Sequence, residues 1–255
     1  TYGNRVDRFL ATAAYLDDTG LASFVMARGY YTRSTLTAWN FRDGELTRIW
    51  KFDSEQAGNQ YTGQGAHSIS VANVDDDPQQ EIIYGAMTVD HDGTAQCNTQ
   101  LNHGDALHAS DFLPDRPGIE VFMPHEYEAR PQWSLRDGAT CEILQQGTVT
   151  DDDVGRGVAA DVEPNNPGAE LWSSNGVPLT SAATGQRVAD APGSINFLAW
   201  WDAGRCIWLF WMGFVRVGVA LVGWVIGILR FTWLFFKNLV VGMVRSPFSL
   251  LDWTT

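Results

Sequence analysis

The stretch Ser70-Val71-Ala72-Asn73-Val74-Asp75, followed by Glu81-Ile82-Ile83-Tyr84, decides the fold. A short apolar run enters an acidic, Asn-bearing turn, and a second apolar run leaves it. The arrangement recurs. Leu107-His108-Ala109-Ser110-Asp111-Phe112 leads to Glu120-Val121-Phe122, and Val158-Ala159-Ala160-Asp161-Val162-Glu163 leads to Glu170-Leu171-Trp172. A weaker copy runs from Ala13-Ala14-Tyr15-Leu16-Asp17 to Phe24-Val25-Met26. The anchors Asn73, Asp111 and Asp161 are 38 and 50 residues apart. Such spacing predicts one four-stranded unit per repeat, as in a β-propeller blade.

Working outward, Ser34–Trp39 and Leu46–Trp50 bracket Asp43-Gly44, and Ser134–Arg136 and Cys141–Leu144 bracket Asp137-Gly138. Asp-Gly between alternating runs is a hairpin signal. No stretch of residues 1–204 reads as a long amphipathic helix. The predicted class is all-β, an incomplete β-propeller with three to four blades' worth of sequence over residues 1–202. An unrelated apolar, helical tail follows over 203–255.

Charge divides the chain at the same place. Residues 1–204 carry a net −17 and residues 205–255 a net +4, together the −13 of the whole. An acidic body repels phosphate backbones, which sets nucleic acid aside as a partner, and it suits cations. Cys97, Cys141 and Cys206 form no CxxC pair, so a thiolate zinc site is unsupported; one disulfide is possible and none is required. The sequence opens on Thr1 without the basic-then-apolar start of a signal peptide.

Two constellations carry chemistry. Asn73-x-Asp75-x-Asp77-x-x-x-Glu81 sets side-chain oxygens at alternate positions of a tight turn, which suits a hard cation such as Ca²⁺, although the EF-hand spacing and glycine are absent. The copies at Asp111/Asp115/Glu120 and Asp161/Glu163/Glu170 are thinner, and a plain turn explains them equally well. The second constellation is spread along the chain: His67, His103, Asp105, Glu126 and Arg156 sit in loops at equivalent places of successive repeats, which a propeller gathers on one face. Two imidazoles with two carboxylates ordinarily suggest Zn, Mn or Fe, so chemistry alone leaves this as a divalent metal site. Tyr30, Tyr31 and Trp39 read as core strand aromatics rather than sugar-stacking platforms.

Several stretches resemble the bacterial rhamnogalacturonan lyases of polysaccharide lyase family 11. They include Val6-Asp7-Arg8-Phe9-Leu10, Val25–Arg33, Glu81–Met87, His103-Gly104-Asp105-Ala106-Leu107-His108, Arg116-Pro117-Gly118, His125-Glu126, Asp153-Val154-Gly155-Arg156-Gly157 and Trp200-Trp201-Asp202. The resemblance implies an eight-bladed propeller, a secreted enzyme of pectin degradation, and β-elimination between galacturonic acid and rhamnose with bound calcium. It places His67, His103, Asp105 and Glu126 around an active-site calcium and Arg156 near the substrate. It makes the Asn73–Glu81 turn a structural calcium loop. A lysine and a tyrosine expected of the family would lie beyond Asp202 and have no match, which leaves activity of the chain alone open. The alternative is a non-catalytic calcium propeller for adhesion or glycan binding.

The tail resembles nothing in that family. Its longest uncharged stretch, Val217 to Leu229, has 13 residues, short of the ~20 needed to cross a bilayer. A helix from Ile207 to Leu229 is long enough but carries Arg216, at a cost of roughly 2.5–3.5 kcal/mol. Gly223 and Gly227 form a GxxxG. The abrupt change of composition favours a frameshift product over a membrane anchor, because an anchor does not replace the middle of a ring of blades.

Overall fold

The computed structural model describes residues 8–126, 129–193 and 195. The tail lies outside the described residues, among which no helix is long and apolar enough to cross a membrane.

The described chain is almost wholly β, and its one α-helix, α1, is the single turn Ser54–Ala57. Four consecutive four-stranded antiparallel sheets follow one another. The first holds β1 (Phe9–Ala14), β2 (Ser23–Arg28), β3 (Thr35–Arg42) and β4 (Glu45–Asp53). The second holds β5 (Ser70–Ala72), β6 (Glu81–Tyr84), β7 (Met87–Val89) and β8 (Ala95–Asn98). The third holds β9 (His108–Ser110), β10 (Glu120–Pro124), β12 (Trp133–Asp137) and β13 (Ile143–Gln146). The fourth holds β15 (Gly157–Ala160), β16 (Glu170–Ser173), β17 (Leu179–Ser181) and β18 (Arg187–Ala189). A two-stranded ribbon, β11 (Arg130–Pro131) with β14 (Val149–Thr150), stands apart from them.

Local chemistry explains the turns. Asp43 and Gly44 both have positive φ, 52° and 85°, between the paired Arg42 and Glu45. That is the left-handed two-residue hairpin the Asp-Gly pair predicts. At Asp137 the turn is longer than expected. The Asp137 carboxylate accepts the N–H groups of Ala139 and Thr140, and β13 begins only at Ile143.

The second and third sheets bury both faces against the sheets on either side of them, while the first and fourth each pack on one described sheet. Ile82, Val121 and Leu171 are each the second residue of the second strand in their sheets, and each is 0% exposed. They face the preceding sheet: Ile82 packs with Val25, Ala27 and Leu36, Val121 with Ile83, and Leu171 with Phe122 and Leu135. Phe24 holds the equivalent place in the first sheet and is 49% exposed. Phe9, Met26, Phe41, Leu46 and Ile49, all of the first sheet, are exposed as well. Side-chain alternation along a strand accounts for this pattern: one face of the sheet is in core and the other has no neighbour among the described residues.

Two further devices tie the second sheet to the third. Cys97 of β8 and Cys141 of the β12–β13 turn form a disulfide. The guanidinium of Arg136, 1% exposed, donates to Thr88 Oγ1 and the carbonyls of Gly138, Gly85 and Met87.

Candidate metal centre

The loops entering β5 and β9 run side by side, joined by a parallel bridge between Ala66 and Gly104. A Cβ on Gly104 would overlap the carbonyl oxygen of Pro124, so only glycine permits this approach. The same loop is tied to the one entering β15, because Asp105 N and Ala106 N both donate to Gly155 O at 2.9 Å. Glu126, just past β10, donates its N–H to His103 O. Backbone pairing therefore sets the geometry before any side chain is considered.

It brings the dispersed residues together. His67 Nδ1 lies 3.2 Å from Asp105 Oδ1, and His103 Nε2 lies 3.6 Å from the same oxygen. His103 Nε2 is 3.0 Å from Glu126 Oε2, and Arg156 Nε is 3.7 Å from Asp105 Oδ2. Ligand atoms of His67, His103 and Asp105 all lie within 4.8 Å of one another. His103 is fully buried, and its Nδ1–H donates to Gly65 O at 2.6 Å. A carbonyl only accepts, so the Nε2 lone pair is left aimed at the carboxylates. Neither His103 Nε2 nor Glu126 Oε2 has a hydrogen-bond partner among the described residues.

Burial disfavours charge on His103, but Asp105, Glu126 and the Gly65 carbonyl outweigh it and raise its pKa. Burial wins at His67 and lowers it. The nearby His103 imidazole, against burial, holds Asp105 below the usual carboxylate range. Burial, together with the charges of Glu126 and Asp105, raises Asp153. A Cβ on Gly155 would sit 3.1 Å from Asp153 Oδ1 and 3.3 Å from Asp105 Oδ2, so this glycine makes room for two carboxylates. A cavity of about 270 Å³ opens beside Asp105 and Arg156, lined also by Ser68, Leu107, His108 and Ile195.

Tyr30 is buried, as the core reading expects, but it packs on the site itself, stacked on His103 at 4.9 Å. Tyr31 packs on His103 at 4.3 Å and places its hydroxyl 3.3 Å from His67 Nε2. Burial pushes the Tyr31 phenol up to about 12. Trp39 lies away from them, on β3. His125 is buried against Ser134 Oγ at 2.8 Å, and burial lowers it to about 3, so its ring is neutral.

The Asn73–Glu81 turn divides its expected ligands. Ligand atoms of Asp75 and Glu81 meet Asp90, from the β7–β8 turn, within 4.8 Å. Asp77 forms a second group with Asp90 and His91. The Asn73 amide donates to the Asp77 carbonyl. Asp90 and His91 escaped the sequence reading because they sit one hairpin further on; the signal was the polar turn Asp90-His91-Asp92-Gly93.

A comparison across the sheets isolates what is special about Glu81. Glu81, Glu120 and Glu170 each open the second strand and are fully buried. In each, Oε2 accepts turn N–H groups: Val74 for Glu81, Phe112 and Leu113 for Glu120, Val162 and Glu163 for Glu170. Arg116 then satisfies Oε1 of Glu120, and the Asn166 amide that of Glu170. Glu81 Oε1 has no partner among the described residues and has Asp75 and Asp90 beside it. The thinner copies are thus turns closed by a side-chain donor, while Oε1 of Glu81 has no such donor among the described residues.

Residues 1–208 match the model of the C-terminal domain of rhamnogalacturonan lyase family 11. The chain belongs to that family. Among its family relatives, it is 50% identical over 204 residues to the rhamnogalacturonan endolyase YesW of Bacillus subtilis, covering 79% of this chain and 32% of that protein. It is 51% identical over 210 residues to the rhamnogalacturonan exolyase YesX of the same organism, covering 79% and 34%. The crystal structure of YesW superposes with a TM-score of 0.73 at 51% identity, covering 79% of this chain and 34% of that one. The Bacillus licheniformis rhamnogalacturonan lyase gives 0.73 at 52%, with the same coverage. The chain thus spans about a third of the length of these family members.

Proposed function

We propose that the chain is the site-bearing part of a rhamnogalacturonan lyase, which opens the galacturonic acid–rhamnose bond by β-elimination with calcium held by His67, His103, Asp105 and Glu126. The convergence of these groups carries the reading, above all His103 Nε2 and Glu126 Oε2, which have no hydrogen-bond partner among the described residues, with Arg156 facing Asp105. Two imidazoles alone favour a borderline metal. Asp105 and Glu126, with Asp153 adding charge nearby, move the donor set toward a hard cation. The names of the family relatives support the pectic substrate.

The cation, when bound, supplies positive charge for the uronate carboxylate and so acidifies the C5 proton. The other steps fall to side chains. Arg156, beside the cavity, stabilises the negative charge that develops as the C5–H bond breaks. Its guanidinium is too basic to take the proton, so another group accepts it. The C5–H electron pair becomes the C4–C5 double bond, the C4–O bond breaks with its electrons going to oxygen, and that oxygen takes up a proton and leaves as a rhamnose hydroxyl.

We read the four sheets as consecutive blades of an open propeller. The support is their shared meander order and the uncovered face of the first sheet. A second calcium at Asp75, Glu81 and Asp90 is structural. The Cys97–Cys141 disulfide supports export, since such bonds persist in oxidising compartments.

The test is ultraviolet absorbance of unsaturated uronate from rhamnogalacturonan, alongside calorimetric binding of a galacturonate–rhamnose oligosaccharide, each with and without chelator. Chelator-sensitive turnover, lost in His103→Ala and Asp105→Ala, is the expected result. Calcium-dependent binding without turnover by the chain, together with turnover by a full-length family member that survives the same two substitutions, would assign these residues to glycan binding alone. Absence of both would overturn the proposal.

A further inference from the structure

We propose that Tyr31 is a positioning residue for the cation, acting through the tautomer of His67; the proposal rests on the metal reading above. The two imidazoles are held differently. His103 gives its Nδ1–H to a backbone carbonyl, which fixes one tautomer. Among the described residues, no carbonyl accepts from His67. Its Nε2 faces the Tyr31 hydroxyl at 3.3 Å, and its Nδ1 faces Asp105 Oδ1 at 3.2 Å.

A hydroxyl both donates and accepts, and its hydrogen rotates. Without a cation, the satisfied arrangement has His67 Nδ1–H donating to Asp105 and the Tyr31 hydroxyl donating to Nε2. With a cation at Nδ1, the ring proton must move to Nε2, and the same hydroxyl turns to accept it. A carbonyl or an ammonium in that place serves one state only. The hydroxyl serves both, and more strongly with the cation, which polarises the Nε2–H that it then accepts; it thereby holds the ring proton on Nε2 and leaves the Nδ1 lone pair to the cation.

The loop is built to hold the phenol there. Tyr84 Oη donates to Gly29 O at 2.7 Å, Gly29 N donates to Arg8 O, and Gly63 N donates to Thr32 O. The Tyr30 and Tyr31 rings pack edge to face at 4.8 Å, and both lie against His67 and His103. The backbone pins and the aromatic cluster remain when only the hydroxyl is removed, so Tyr31→Phe isolates the hydrogen bond.

The experiment titrates calcium into the full chain by calorimetry, and nitrogen-15 shifts of the His67 ring report this site apart from the Glu81 turn. In wild type, calcium should move the ring proton from Nδ1 to Nε2. In Tyr31→Phe, affinity should fall about 10–100-fold, and calcium should no longer move the ring proton fully to Nε2. Adding Tyr31→Phe to His67→Ala should cause no further loss of affinity. Equal affinity in wild type and Tyr31→Phe, or additive losses in the double variant, would overturn the role of Tyr31 while leaving the metal reading intact. A wild-type chain whose His67 shifts ignore calcium would remove the metal reading and this proposal with it.

Discussion

His103 Nε2 stands 3.0 Å from Glu126 Oε2 with its ring proton committed on the far side to Gly65 O. Two lone pairs that close repel unless positive charge lies between them. Glu126→Gln supplies an amide N–H in place of that charge. The variant should keep or raise the melting temperature of chelated protein and lose at least about tenfold in calcium affinity. Unchanged calcium affinity would show that Glu126 is no ligand.

Glu81 yields a prediction from its counterparts in the third and fourth sheets. Glu81→Gln turns a partnerless acceptor into a donor facing Asp75 and Asp90, the solution that Asn166 gives Glu170. Its stability should no longer respond to calcium at this turn. Asn166→Ala, by contrast, strands Oε1 of Glu170 and should cost about 1–3 kcal/mol with or without calcium. Thermal melts across a calcium series check both, and a calcium response retained in Glu81→Gln refutes the site.

Much of this was legible in the sequence because it repeats. Three Glu-led strands at matching offsets gave the sheets, and loop positions before them gave His67, His103 and Asp105 without any knowledge of distances. Asp43-Gly44 set its hairpin alone. What pairs across sheets was not legible. Asp90 joins Glu81 only once β6 and β7 are folded together, and Tyr31 meets His67 only because the first sheet packs on the second. The difference between Glu81 and Glu120 was written locally, as Arg116 four residues before one and Asp77 four residues before the other, but its consequence shows only where Arg116 meets Oε1 of Glu120. The Cys97–Cys141 pairing also depends on which sheets are neighbours.

The uncovered face of the first sheet makes equivalent positions unequal. Phe24→Ala should change stability by less than about 1 kcal/mol, whereas Leu171→Ala should cost about 2–5 kcal/mol. Urea unfolding of the two variants checks this. A large loss at Phe24 would mean that this face is covered in solution.

The Cys97–Cys141 bond closes 44 residues of chain across two sheets. On the chain-entropy account, such a loop is worth roughly 4 kcal/mol. The double variant Cys97→Ser, Cys141→Ser should unfold at correspondingly lower denaturant, and reductant should not affect it further. An oxidised wild type no more stable than this variant would remove the bond from the account.

Asp53 supplies a test in acid. Its side chain is buried and takes Arg33 Nε on Oδ1 at 2.9 Å and Lys51 Nζ on Oδ2 at 2.9 Å. The Arg33 hydrogen bonds, opposed by burial and aided by Lys51, hold this carboxyl well below the usual range. A carboxyl depressed by folding adds stability that is fully present above its unfolded pKa, about 3.9. That stability fades as pH falls through the folded value. The difference between wild type and Asp53→Asn should therefore hold steady from about pH 7 to about pH 5 and shrink progressively below about pH 4. Urea unfolding at several pH values measures it, and a difference that stays constant into strong acid would show that the Arg33–Asp53–Lys51 cluster does not depress this carboxyl.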